Sequence, residues 1–145
     1  MTPDFTIQEI ADAAQLTRYQ VEAWISRGHF TPENPVENGK ARKFTADDAV
    51  VLAALAEFNR LGLAPTTVSM HTTQLRFRAG RGSLFVITSI IRQTTDPAGE
   101  IDLTAGDIIE AADLGRIASD PQVRAFAAVN IAQIEQRVRA SLGIA

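Results

Sequence analysis

The stretch TRYQVEAWISRGHF, Thr17 to Phe30, decides how the chain can fold. Thr17 and Gln20 stand three residues apart, which is the spacing of a capping box at the start of a helix. Gly28 is the residue type that most readily takes the left-handed conformation after a helix. An apolar edge recurs between them at helical spacing and consists of Val21, Trp24 and Ile25. The pattern therefore predicts a short amphipathic helix that ends near Gly28.

A second short helix is predicted directly before this stretch. Thr6 and Glu9 form another capping box, and apolar residues then recur at helical spacing up to Ala14. Only about two residues separate the two helices. Helices this short are marginal alone and must pack on each other and on a third helix. The expected arrangement is a helix-turn-helix.

The segment after Phe30 has a different character. Pro32 and Pro35 interrupt regular structure, and Asn38-Gly39 is a strong hairpin signal because both residues tolerate positive φ. We therefore expect a two-stranded wing whose tip carries the basic residues Lys40, Arg42 and Lys43.

Two further helices are expected before the middle of the chain. Thr45 caps the third helix, and the acidic residues Asp47 and Asp48 suit its positive N-terminal end. Pro65 suits the first turn of a fourth helix, which we expect to run to about Arg76. That helix is rich in threonine, so its intrinsic propensity is modest and it needs tertiary support.

The segment from Arg78 to Ser83 separates two unlike patterns. It contains two glycines, and the β-branched run that follows, Leu84 to Ile91, is an expected strand. We place a domain boundary here, which gives an N-terminal domain at 1–79 and a C-terminal region at 80–145. The predicted fold class is mainly α, with an N-terminal winged helix-turn-helix followed by a small α+β C-terminal region.

The C-terminal region ends in a predicted helix. Asn130 and Gln133 resemble a cap before its apolar positions. For Val123 to Ile131, strand and helix fit equally well. The elements before it are predicted as a turn at Asp96–Gly99, a short returning strand at 100–103 and a helix from Thr104 to Leu114 or Ser119.

The composition fits an ordinary globular protein. Hydrophobic residues make up 46% of the 145 residues, and there is no cysteine, which excludes disulfides and thiolate metal sites. The N-terminus lacks a basic region followed by an apolar run, and no apolar stretch approaches about 18 residues. We expect a cytoplasmic protein without a signal peptide or a membrane span.

Few residues are suited to catalysis. Neither His29 nor His71 has a partner at metal-ligand spacing, and the glycine-rich AGRGS lacks the lysine of a phosphate loop. Asp107, Glu110 and Asp113 fall at helical spacing, which is typical of a polar helix face. We predict no catalytic residue, no metal and no cofactor, so the protein is not expected to be an enzyme.

The ordered N-terminal features resemble the winged helix-turn-helix of the MerR superfamily. The similar region runs from Phe5 to about Val68 and includes the aromatic-Thr-Ile start, the two short helices, the aromatic before Thr-x-x-Asp and the Leu-Gly before the fourth helix. The WISRG stretch, Trp24 to Gly28, is also similar to phage excisionases and small terminase subunits. The resemblance implies binding to double-stranded DNA.

In such a fold the start of the second helix reaches base edges, and the wing contacts phosphates or the minor groove. Arg18 suits guanine or phosphate, Gln20 suits adenine although its capping role competes, and Glu22 suits cytosine or is a simple surface charge. The predicted DNA-binding residues are Thr17, Arg18, Tyr19, Gln20, Glu22, Arg27, Lys40, Arg42 and Lys43.

The charge of the chain is acidic overall but locally basic. The formal net charge is -3, whereas residues 17–43 hold five basic and three acidic residues. Distribution matters more than the total for binding nucleic acid. Three more basic residues either extend the DNA footprint or only solubilise the linker, and these are Arg76, Arg78 and Arg81.

The sequence also departs from the family pattern. Glu22-Ala23 occupies the place where MerR-type activators carry an Arg-Tyr pair, and no long dimerisation helix follows Arg76. The favoured function is a transcriptional regulator that binds DNA as a homodimer through its C-terminal region. The alternatives are a phage-type excisionase or small terminase subunit, and a protein-interaction module that no longer binds DNA.

Overall fold

The computed structural model describes residues 3–93 and 99–145. The N-terminal part contains α1 (Ile7–Ala14), α2 (Arg18–Ser26), α3 (Ala46–Arg60), α4 (Pro65–Ser69) and a 3-10 helix (Thr72–Phe77). The C-terminal part contains β1 (Leu84–Gln93), β2 (Glu100–Ile109), a short 3-10 helix (Ala111–Asp113), α5 (Leu114–Ser119), β3 (Val123–Asn130) and α6 (Ile131–Leu142). The predicted fold class is confirmed for the N-terminal helix-turn-helix and the small α+β C-terminal region, but not for the strands of the wing.

Both capping boxes of the helix-turn-helix are confirmed. Thr6 Oγ1 accepts from Glu9 N at 3.2 Å, and Thr6 N donates back to Glu9 Oε1 at 3.0 Å. At the start of α2, Thr17 Oγ1 accepts from Gln20 N at 3.1 Å, and Thr17 N donates to Gln20 Oε1 at 2.8 Å. Gly28 follows α2 with φ of +76°, as its position predicts.

The segment 31–43 is a loop rather than the predicted two-stranded wing. The turn itself forms, because Lys40 N donates to Glu37 O at 3.3 Å. No residue of 31–43 pairs in a strand. The return of the loop is instead anchored at Phe44, whose N–H donates to Phe5 O at 2.9 Å and whose carbonyl accepts from Phe5 N at 2.7 Å.

Proline and side-chain bonding explain this difference. Pro32 and Pro35 have no N–H to donate, so a regular ladder cannot form along this side of the loop. The two sides are held by side chains: Asn34 Nδ2 donates to Lys43 O at 3.1 Å, and Arg42 Nη2 donates to Asn34 O at 3.0 Å.

The fourth helix is shorter than predicted. α4 ends at Ser69, and the 3-10 helix Thr72–Phe77 takes the place of the expected continuation to Arg76. Thr72 Oγ1 donates to Ser69 O at 2.8 Å, which offers that carbonyl an alternative to the α-helical bond. The abundance of threonine thus weakens the helix at the point where it ends.

The three strands form one antiparallel sheet in the order β2-β1-β3. The predicted helix from Thr104 is wrong, because 104–109 belong to β2 and the next α-helix, α5, begins only at Leu114. Ile108 lies opposite Phe85 in the β1–β2 pair, and both are buried on the inner face of the sheet. The burial of apolar side chains on this face stabilises residues 104–109 as a strand and not as the predicted helix.

The open choice for Val123–Ile131 is decided in favour of a strand, β3, with α6 beginning at Ile131. The predicted cap of α6 is confirmed, since Asn130 Oδ1 accepts from Gln133 N at 3.0 Å. The predicted turn at Asp96–Gly99 lies, apart from Gly99, outside the described residues.

One hydrophobic core joins the N-terminal helices to the C-terminal elements. α6 packs against α1 and α3 and buries Ile131, Ile134 and Val138. Phe85 of β1 meets Phe58 of α3 edge to face, with ring centroids 5.7 Å apart. The division at 79/80 stays a prediction. Among the described helices, none is long and apolar enough to cross a membrane.

Candidate nucleic-acid interface

α2 is held in place by one face and leaves the other exposed. Val21 and Trp24 are buried in the hydrophobic core, whereas the predicted contact residues on the opposite half are exposed. Tyr19 among them has 75% of its surface accessible. The first turns of α2 therefore present a row of polar groups that consists of Thr17, Arg18, Tyr19, Gln20 and Glu22.

Arg18 and Glu22 of this row are paired. Arg18 Nε donates to Glu22 Oε1 at 2.9 Å, across one helical turn, and both side chains are at least half exposed. The carboxylate neutralises the charge of the guanidinium locally. Glu22 thus has a specific partner in Arg18. The sequence suggested a cytosine contact or a simple surface charge for Glu22, but not this pairing.

Gln20 is engaged in the capping box. Its Oε1 accepts from Thr17 N at 2.8 Å and from Thr17 Oγ1 at 3.2 Å. Recognition of adenine by an amide side chain uses both the oxygen and the nitrogen. The oxygen of Gln20 is occupied, so the capping role prevails over the adenine contact in this conformation.

The three basic residues of the loop differ in their partners and in their exposure. Lys40 Nζ lies 3.3 Å from Glu37 Oε2, and Arg42 is partly buried where it donates to Asn34 O. Lys43 is exposed, and within the described part of the chain its ammonium has no acidic partner. Lys43 is therefore the loop cation best placed to attract a phosphate.

Arg27 lies at the other end of α2. It is the C-cap residue of the helix and is exposed, and it makes no ion pair with any described residue. The nine predicted residues thus lie on two separate segments: six on or next to α2, and three on the loop. Their role in binding stays a prediction.

The three linker arginines bind carboxylates of the same chain. Arg76 Nη2 lies 2.9 Å from Asp48 Oδ1, and Arg81 Nη2 lies 3.0 Å from Asp107 Oδ1. Arg78 joins two elements, because its Nη2 is 2.9 Å from Asp47 Oδ1 of α3 and its Nε donates to Glu135 of α6 at 3.0 Å. We assign no DNA contact to them.

These ion pairs were not predicted from the sequence, although part of the signal was present. Thr45-x-x-Asp48 has the spacing of a capping box, and Asp48 Oδ2 does accept from Thr45 N at 2.9 Å. The burial of Asp48 could not be predicted this way, because Arg76 reaches it from an element distant in sequence.

Neither histidine has the surroundings of a metal ligand. Within residues 3–93 and 99–145, no group of three or more His, Asp or Glu side chains could hold a metal ion. His71 Nε2 lies 3.0 Å from Thr104 Oγ1, and burial lowers the pKa of His71 below its ordinary value. Asp107, expected on a helix face, lies on β2 and pairs with Arg81.

Comparison with known protein families gives a match in the N-terminal part of the chain. The model of one family, described as MerR HTH family regulatory protein, matches residues 5–75, a segment that contains α1 to α4 and most of the following 3-10 helix. No curated protein matches this chain. The match covers α2 and the loop, which are the two segments that carry the predicted contacts. Residues 5–75 are therefore a MerR-type helix-turn-helix domain, the kind of domain with which regulators of this family bind DNA.

Proposed function

We propose that this protein is a sequence-specific DNA-binding regulator of transcription that acts as a homodimer through its C-terminal region. The observation that carries the proposal is the exposed polar row on the first turns of α2, in a domain of the MerR type. A helix held by Val21 and Trp24 and exposed on its other face suits insertion into the major groove.

The homodimer is supported by charge and by exposed apolar surface. Within the described residues of the proposed interface, only Arg27 and Lys43 carry a positive charge without an acidic or backbone partner for the side chain. One copy would therefore bind weakly, and two copies on one site would recover affinity. Leu103 and Phe126 are exposed on the outer face of the sheet, where a second copy could cover them.

The binding test is selection of duplexes from a random pool by the full chain, followed by titration of enriched and scrambled duplexes. We expect the enriched duplex to bind at least about 1,000-fold more tightly than the scrambled one. Both affinities should fall as salt rises, because phosphate contacts release counterions. No binding to any duplex at about 50 mM salt would contradict the proposal and favour a protein-interaction module.

The assembly test is the mass of the chain and of its DNA complex by light scattering. We expect two copies per duplex. A ring of many copies would instead favour a small terminase subunit, and one copy per duplex would contradict the homodimer.

A further inference from the structure

Arg18 is held by Glu22 in a way that leaves the end of its guanidinium unoccupied. The bond to Glu22 Oε1 uses Nε, at 2.9 Å. The terminal atoms Nη1 and Nη2 have no hydrogen bond to any residue in the described ranges, and the side chain is 59% exposed. The planar end of the Arg18 guanidinium, with the N–H donors of Nη1 and Nη2, is therefore exposed. The bond from Nε to Glu22 restricts the orientation of this end.

A guanidinium edge of this kind matches guanine better than the other bases. Guanine offers two adjacent acceptors in the major groove, O6 and N7, whereas adenine replaces one of them with an amino donor. Two parallel N–H groups can therefore bind guanine bidentately and are repelled in part by adenine.

Glu22 also makes Arg18 a poor phosphate ligand. The carboxylate compensates the positive charge, so the long-range attraction to a phosphate is small, whereas the directional donors of Nη1 and Nη2 stay available. Arg27 and Lys43, which have no acidic partner among the described residues, suit phosphates better. Gln20 is a weak competitor for base reading, because its oxygen is bound to Thr17.

We propose that Arg18 reads one guanine in each half-site and that Glu22 is the residue that positions its guanidinium. This inference rests on the proposed DNA-binding function and adds a base preference to it. It also gives a role to the acidic residue that stands where MerR-type activators carry an arginine.

The test uses the duplex enriched by selection with the full chain. Each guanine is replaced in turn by 7-deazaguanine, which keeps base pairing and removes the N7 acceptor. We expect one position per half-site at which affinity falls about 5- to 150-fold. In Arg18→Ala that position should become insensitive to the replacement, while the salt dependence of binding stays close to that of the parent.

Lys43→Ala is the matched control, because it removes an exposed cation from the other segment of the predicted interface. It should weaken binding to all sequences alike, reduce the slope of log affinity against log salt by about one, and keep the effect of 7-deazaguanine. Circular dichroism of both variants checks that the fold is retained.

Glu22 is tested by two substitutions. Glu22→Ala should reduce the discrimination between guanine and 7-deazaguanine and raise affinity for scrambled DNA, since the carboxylate that repels phosphates is gone. Glu22→Gln should keep much of the discrimination, because its amide oxygen can still accept from Arg18 Nε.

Two outcomes would overturn the inference but leave the proposed function intact. One is tight binding of the enriched duplex that no guanine replacement changes. The other is a sensitive guanine that remains equally sensitive in Arg18→Ala. Failure of the parent chain to bind any duplex would overturn both the inference and the proposed function.

Discussion

Asp48 is a fully buried carboxylate whose two oxygens are both occupied. Oδ2 accepts from Thr45 N at 2.9 Å, while Oδ1 accepts from Glu33 N at 3.2 Å and lies 2.9 Å from Arg76 Nη2. A buried charge is stable only with such partners. Asp48 therefore connects the start of α3 to the loop at Glu33 and to the 3-10 helix that carries Arg76.

We predict that Asp48→Ala lowers the free energy of unfolding by about 3–5 kcal/mol, because it leaves the largely buried guanidinium of Arg76 with only the more distant carboxylate of Glu33. Urea unfolding followed by circular dichroism measures the loss. Asp12→Ala on the exposed face of α1 is the control and should change stability by no more than about 0.5 kcal/mol. A loss below about 1 kcal/mol for Asp48→Ala would show that the Asp48–Arg76 pair contributes little to the free energy of unfolding.

The residues that sequence analysis predicted well are those whose partners are near in the chain. Thr17 and Gln20 cap α2 across three residues, and their pairing depends only on local geometry. The pair of Arg78 and Glu135 spans 57 residues and forms only because α6 returns to α3. Such partners follow from the tertiary fold, so no local pattern could predict them.

The same distinction holds at the scale of whole elements. The short helices α1 and α2 were predicted because their caps and apolar spacing agree. Residues 104–109 were predicted as the first part of a helix that Thr104 opens, yet they form β2. A strand gains its stability from pairing with a neighbour, and the pairing of β2 with β1 is not visible within the segment itself.

α6 is joined to the linker residue Arg78 by an ion pair that depends on pH. The hydrogen bond from Arg78 lowers the pKa of Glu135 below its ordinary value of 4.5, against the opposing effect of burial. A carboxylate with a depressed folded-state pKa stabilises the fold above its unfolded-state pKa. That contribution is lost as the pH falls from about 4.5 through the folded-state pKa.

We therefore predict that Glu135→Gln lowers the free energy of unfolding at pH 7 by about 1 kcal/mol, the upper range for a partly exposed pair. The difference from the parent should shrink toward zero as the pH falls below 4.5. Urea unfolding at a series of pH values measures it. Gln136→Ala, on the same helix, carries no titrating group and should show a difference independent of pH. If the difference in unfolding free energy between Glu135→Gln and the parent did not change with pH, the pairing of Glu135 with Arg78 would not be the source of the stabilisation.

At the scale of the whole molecule, α2 shares its hydrophobic core with residues outside the family match. α2 packs through Val21 and Trp24 into a core that also includes Phe85, Val129 and Ile134 from the C-terminal part. A change in the C-terminal part can therefore alter the stability of the helix-turn-helix without touching it.

Phe85 tests this coupling directly. It is fully buried and meets Phe58 of α3 edge to face, so Phe85→Ala removes a large side chain at the centre of the shared core. We predict a loss of about 3–5 kcal/mol in the free energy of unfolding. Trp24, the single tryptophan, reports the unfolding of α2, and its emission should shift at the same lower urea concentration as the circular dichroism signal.

Phe77→Ala is the control, because Phe77 is 71% exposed. If Trp24 kept the midpoint of the parent in Phe85→Ala while the circular dichroism transition moved, the two parts would unfold independently, and the boundary at 79/80 would separate two autonomous domains.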